Sequence, residues 1–234
     1  MPAAASSPAA QTVGLLLADS RLPSGGHVSS SGLEPALMGG LSRSQVLDYM
    51  LVRARTAALT DAACAVVVRH ALIQQTDPAA ALTRAERAWA ARTPSGAARQ
   101  IAAELGRGLL RLAKSLWPDG PSFRLLEAST GRTAPSRPAV MGAVAAHAGV
   151  GAEELVRLVI YDDAAAAAAA LLKLDPGDPA EAMSLVLDAC ASVEAQVPGV
   201  AGLTAPDDMP ASSAPQMEDW IERHANTTRR LFRA

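Results

Sequence analysis

Apolar residues recur along this chain at helical spacing. Val46, Leu47, Met50, Leu51 and Ala54 share one face, behind Ser42-Arg43-Ser44-Gln45, a capping-box pattern. Cys64, Val67, Val68, Ala71 and Leu72 form a second stripe, with Asp61 placed to cap it. Asp77-Pro78 sets a cap before a proline at the first helical position, and Leu82, Ala85 and Trp89 follow. Ser95 opens a longer helix with Ile101, Leu105, Leu109, Leu112 and Leu116 inward, ending near Trp117-Pro118.

After a break over 131–138, residues 139–148 read as a helix stopped by Gly149. Residues 152–172 form a long one. Its run of alanines, Ala164 to Ala170, favours helix and lets a neighbouring backbone come close. Asp178-Pro179 starts a further helix carrying Met183, Val186, Leu187 and Cys190. A Pro/Ser/Asp-rich loop covers 198–215, and Ser213-Ala214-Pro215-Gln216 offers a capping box for a last helix. No segment alternates for long enough to read as a strand, and no repeat stands out. The pattern predicts an all-α, single-domain bundle of about eight to ten helices. That domain spans 13–234, behind an Ala/Ser/Pro-rich extension over 1–12 expected to be disordered.

Composition narrows the picture. Half the residues are apolar but only 3% are aromatic, so the core must be built from Ala, Leu and Val. A formal charge of −2 gives no general attraction for nucleic acid or an anionic membrane. Cys64 and Cys190 stand alone, as suits reduced thiols packed as small apolar groups. No signal-peptide pattern opens the chain and no charge-free run reaches membrane-spanning length, so a cytoplasmic location is expected.

The residues that carry chemistry are sparse. His27, His70, His147 and His224 each lack a ligand-like neighbour, so no metal site is expected. Asp162-Asp163 and Asp207-Asp208 are paired in sequence only. Neighbours on a helix diverge by about 100°, which argues for solvation or a polar flank over an acid/base dyad. There is no phosphate-binding loop and no nucleophile elbow. Neither catalytic residues nor GTP hydrolysis by this chain is expected.

Two segments remain distinctive. Leu22-Pro23-Ser24-Gly25-Gly26-His27-Val28-Ser29-Ser30-Ser31-Gly32-Leu33-Glu34 combines a fixed proline with glycines free to take conformations that side chains forbid. At the other end Met217, Ile221, His224, Thr228 and Leu231 fall on one helical face beside Trp220, with Arg223, Arg229, Arg230 and Arg233 around it. A helix dipole accounts for arginines at a helix end. It does not account for Phe232, which reads as an anchor into the protein's own core or into a partner.

Together these segments resemble the urease accessory protein UreF family, which opens with a segment like L-P-x-G-G-F-S-Y-S-x-G-L-E and closes with one like H-E-x-Q-x-x-R-L-F-R-S. Leu22, Pro23, Gly25, Gly26, Ser30, Gly32, Leu33 and Glu34 match the opening; His224, Arg230, Leu231, Phe232 and Arg233 match the close. His27, Ser29, Ala225 and Thr227 depart from it, and the family's P-L-G-Q-like turn survives only as Asp175-Pro176-Gly177-Asp178.

The resemblance implies a non-catalytic chaperone that joins a UreD/UreH-type scaffold protein and the GTPase UreG, regulates that GTPase, and helps deliver nickel into apo-urease. Nickel would be handled by the complex, with no cofactor held tightly here, and a homodimer is implied within the complex. Partner contacts would fall on Pro23, Gly25, Gly26, Gly32, Glu34, His224, Arg230, Leu231, Phe232 and Arg233. The alternative from the residues alone is a small-ligand-binding or enzymatic helical protein with its site around 24–34.

Overall fold

The computed structural model describes residues 10–19, 21–24, 28–131, 133–227 and 231–232. In chain order its α-helices are α1 (Ala10–Ala18), α2 (Leu33–Met38), α3 (Val46–Arg53), α4 (Leu59–Gln74), α5 (Pro78–Ala91), α6 (Gly96–Leu116), α7 (Pro121–Thr130), α8 (Arg137–Ala148), α9 (Ala152–Leu174), α10 (Pro179–Ala191), α11 (Val197–Ala201) and α12 (Pro215–Ala225). Ten of these have eight residues or more, and no strand is found among the described residues, so the all-α expectation holds. Residues 10–12, expected to fray, are part of α1.

Helix α4 lies at the centre and packs against α5, α8 and α9. Its residues from Ala62 to Val68 are all buried, so it is apolar on every side, not along one stripe. Such a helix belongs in the middle of a bundle. Close packing replaces bulk here: Gly142 of α8 lies against the Ala65 carbonyl, where even a Cβ would collide with the backbone. Ala164, Ala167, Ala168 and Ala170 of α9 are likewise buried.

The helix over Arg43–Gln74 is continuous, with a π-helical turn at Ala54–Ala58 joining α3 to α4. It is long and apolar enough to cross a membrane by length and composition, and most of its apolar window is buried inside this fold. Because the helix does not break, Asp61 caps nothing. It sits inside α4 and its carboxylate accepts a hydrogen bond from Trp89 Nε1 at 2.6 Å.

Several caps are as the sequence indicates. Asp77, Ser95 and Asp178 accept from the N–H groups of Ala80, Ala98 and Ala180 at 3.2, 3.0 and 2.8 Å. Gln45 Oε1 accepts from the Ser42 N–H at 3.0 Å. Gly149 ends α8 at φ 78°. Ser213, in contrast, does not cap α12, whose N-cap is Ala214. The carboxylates of α12 instead serve the start of α6. Glu218 accepts from Ser95 N–H at 2.9 Å, and Glu222 from Ser95 Oγ–H and Ala97 N–H at 2.7 and 2.9 Å. Negative charge there also complements the helix dipole.

Two stripes are rotated from expectation. In α6 the buried face is Gly106, Leu109, Leu110 and Ala113, while Leu116 is exposed. In α10 it is Ala182, Val186 and Ala189, leaving Met183 and Leu187 at 46% and 71% exposure. Helix α10 packs on α9, and both offer small side chains to that contact. Close approach of two helices selects small residues, whereas a hydrophobicity pattern selects large ones. Helix α7, not read from the sequence, buries Phe123 and Leu126 against its neighbours.

Candidate functional site

The two distinctive segments, nearly 200 positions apart, meet in space. Gly32 takes the left-handed conformation at φ 75° and starts α2. A Cβ at that position would lie 2.7 Å from the Tyr49 hydroxyl, which donates to the Ser31 carbonyl at 2.7 Å. Both the φ and the space therefore require glycine. The turn sends Glu34 inward, where it is 4% exposed.

There the Glu34 carboxylate accepts hydrogen bonds from the Leu231 N–H at 2.6 Å and the Phe232 N–H at 2.8 Å. A buried carboxylate is tolerated only when it is paired or hydrogen-bonded, and two backbone donors meet that need. His224 of α12 is also buried, with Nε2 3.1 Å from Glu34 Oε2. That contact is within ion-pair distance but off the hydrogen-bond direction, and neither ring nitrogen has a hydrogen-bond partner. Phe232 is 4% exposed, and the Lys173 ammonium lies 5.1 Å from its ring centroid.

The structure thus brings Gly32, Glu34, His224 and Phe232 together. Pro23 and Leu231 are exposed, and Gly25, Gly26, Arg230 and Arg233 lie outside the described residues. Phe232 anchors into the protein's own core in this state.

Beneath this junction is a cavity of about 380 Å³. Gly32, Ile221 and Phe232 line it from the junction side. Its charged wall was not read from the sequence as a unit. Asp162 and Asp163, expected to be solvated or a polar flank of an apolar helix, each hold an arginine from a different helix. Arg53 of α3 forks onto Asp163 with Nε–O distances of 2.9 and 2.8 Å. Arg137 of α8 forks onto Asp162, Nε and Nη2 both at 2.9 Å. The divergence of adjacent helical positions, which rules out a dyad, is what lets them reach two helices. Arg137 Nη1 is buried without a partner.

Burial is the main influence on Asp61 and pushes its carboxyl up to about 7; the Asp163 and Asp162 charges add to this, against the Trp89 hydrogen bond and Arg53. Burial opposes the Arg53 cation, yet the neighbouring Asp163 carboxylate raises its pKa and keeps it charged. Burial pushes the Tyr49 phenol up to about 12. The π-helical turn lies on the same wall through Thr56 and Ala57. Such turns cost regular hydrogen bonding and recur at functional sites.

No group of three or more His, Cys, Asp and Glu side chains suited to a metal occurs among the described residues. His147 packs instead at a tilt against Trp117 and Phe123, at centroid distances of 5.3 and 5.2 Å. Cys64 is buried and Cys190 half-buried, both as free thiols.

Fold and site together define an all-helical protein whose buried charges hold helices and chain ends in place. The UreF family model matches residues 42–190. A urease accessory protein UreF of Mycobacterium sp. (strain JLS) is 37% identical over 93% of this chain and 96% of its own length. Those of Mycolicibacterium vanbaalenii and Mycobacterium bovis are 35% and 32% identical, with the same coverage. The chain belongs to the UreF family. The opening and closing segments lie outside the family-model match, and the near full-length relatives extend the likeness beyond it.

Proposed function

We propose that this chain is a non-catalytic urease accessory protein of the cytoplasm, which bridges a UreD/UreH-type scaffold protein and the GTPase UreG while nickel is delivered to apo-urease. The observation that carries the reading is the end-to-end similarity to relatives named urease accessory protein UreF. The site fits it. Its charged groups are engaged in helix-to-helix pairs and tail anchoring, as suits a scaffold with a defined surface. Nickel is then cargo of the complex, the GTPase is regulated through contact with this protein, and a homodimer forms within the complex. Partner contacts at Pro23, Gly25, Gly26, Arg230, Leu231 and Arg233 belong to this proposal, with Gly32, Glu34, His224 and Phe232 shaping that surface from beneath.

Co-expression with a UreD-like protein, UreG and apo-urease tests it. A tagged chain should retain the first two on an affinity column, and omitting it should leave urease inactive at limiting nickel. Full urease activation without the chain would refute the proposal. One observation favours a second reading, a small-ligand site near 24–34: Ser24, Ser29 and Ser31 line the cavity together with Arg53, Asp61 and Arg137. A ligand that raises the melting temperature of the wild-type protein but not of the Asp61→Asn variant would establish it.

A further inference from the structure

The outer faces of α5, α6 and α7 carry charge of one sign. Residues 78–131 hold eight Arg and Lys against four Asp and Glu, a net +4 in a chain whose formal charge is −2. On α6 Arg107, Arg111 and Lys114 are exposed, and their spacing of four and three residues places them on one face. Lys114 bridges to Glu127 of α7 at 2.7 Å, and Arg124 lies about one turn before Glu127 on the exposed side of that helix. Thr83 of α5 donates to the Ser129 carbonyl at 3.0 Å, so α5 flanks α7 and adds the exposed Arg84 and Arg87.

The fold makes no use of most of this charge. Among the described residues Arg84, Arg87, Arg107, Arg111 and Arg124 have no ion-pair or side-chain hydrogen-bond partner. Elsewhere Arg43, Arg53, Arg137 and Arg157 hold carboxylates, and Arg69, Arg92 and Arg99 donate to backbone carbonyls. Glu104 and Glu127, the acids on the same helices, are engaged by Gln100 and Lys114. Like charges at i, i+4 repel along a helix. The helix dipole favours a cation in the last turn, which covers Lys114 but not Arg107 or Arg111. A stripe that weakens its own helix calls for a counter-charge outside the chain.

The chemistry of the face selects that occupant. Guanidinium forks match carboxylates. Single-stranded nucleic acid would want aromatic platforms, but Phe123 is buried and Trp117 is packed against it. A long polyanion would also meet the −6 carried by the rest of the chain. A second copy fits poorly, because a two-fold contact sets the basic stripe against itself. We propose that the face bearing Arg107, Arg111, Lys114 and Arg124 is a docking surface for an acidic patch on a different protein. This surface rests on the reading of the chain as a bridge between proteins, and it supplies the place and the chemistry by which one of them is held.

The test is retention of a UreD-like protein, UreG and apo-urease by the tagged, co-expressed chain. Arg107→Glu/Arg111→Glu should cut retention of one of them by about tenfold or more while helical circular dichroism is kept. Wild-type retention of that same protein should fall between about 50 and about 300 mM salt. Arg107→Gln/Arg111→Gln should show a smaller loss in the same direction, and it decides the matter if the charge-reversed variant does not fold. Arg55→Glu, at an exposed arginine on the π-helical turn, should change nothing. Undiminished retention of every partner by the double variants would overturn the docking surface and leave the proposed function standing. An equal loss in Arg55→Glu would overturn it too, since overall charge would then be at work and not this face. Duplex DNA bound by the wild-type chain and released by the double variant would overturn it in favour of nucleic acid. If the wild-type chain retains none of the three proteins, the proposed function fails and the docking surface falls with it.

Discussion

Replacing Asp61 by Asn should stabilise this protein at neutral and alkaline pH. The carboxyl is buried, receives only the Trp89 N–H among the hydrogen bonds seen here, and has its pKa raised from 3.8 to about 7. The folded state therefore prefers the neutral acid. Its contribution is fully present below the unfolded-state value of 3.8 and is lost as pH rises through about 7. Each pH unit between the two values is worth about 1.4 kcal/mol, so ionisation costs about 2–4 kcal/mol once the pH exceeds 7, the lower figure allowing for water in the cavity. Asparagine removes that cost and keeps an oxygen for the Trp89 N–H. The assay is urea unfolding of both proteins at pH 5, 6, 7 and 8. The difference between them isolates Asp61 from Glu194 and Glu222, whose depressed pKa values give the opposite slope. The stability gap in favour of the variant should widen from pH 5 to 7 and then level off. A gap independent of pH, or a variant less stable at pH 8, would refute the reasoning.

Other outcomes follow from the same geometry. Gly32→Ala should lower stability by about 1–2 kcal/mol from the left-handed backbone alone, and by more through the contact with Tyr49, read as a fall in melting temperature. Leu187→Ser, on the exposed face of α10, should change stability by no more than about 0.5 kcal/mol, whereas Leu126→Ala in the core should cost about 2–5 kcal/mol; urea midpoints decide both. The isolated protein should release no phosphate from GTP, and turnover abolished by a substitution in this chain would contradict that. Arg53→Met should strand the buried Asp163 and destabilise by about 3–5 kcal/mol, with much of the loss recovered in Arg53→Met/Asp163→Leu.

The sequence by itself determined most of the longer helices, though not α7, and many of their ends. Asp77, Ser95, Asp178 and Gly149 act locally, through hydrogen bonds or backbone angles within a few residues, so their signals survive without any tertiary context. It also singled out the two terminal segments, because Gly32 and Phe232 are residues that a plain helical bundle does not call for there. What it could not determine depends on which faces meet. The inward faces of α6 and α10 follow close approach between small residues, and a hydrophobicity pattern ranks Leu116 and Leu187 above Gly106 and Ala189. The partners of Asp162 and Asp163 lie on other helices, 25 and 110 positions away, where no local spacing points to them. Asp61 looked like a cap because caps are chosen by residue type, and only the unbroken helix from α3 to α4 turned it into a buried acid. The union of Glu34 with the Phe232 backbone, 198 positions on, is of the same kind. Residue type chose the anchor, and the folding of α2, α9 and α12 around one core decided where it went.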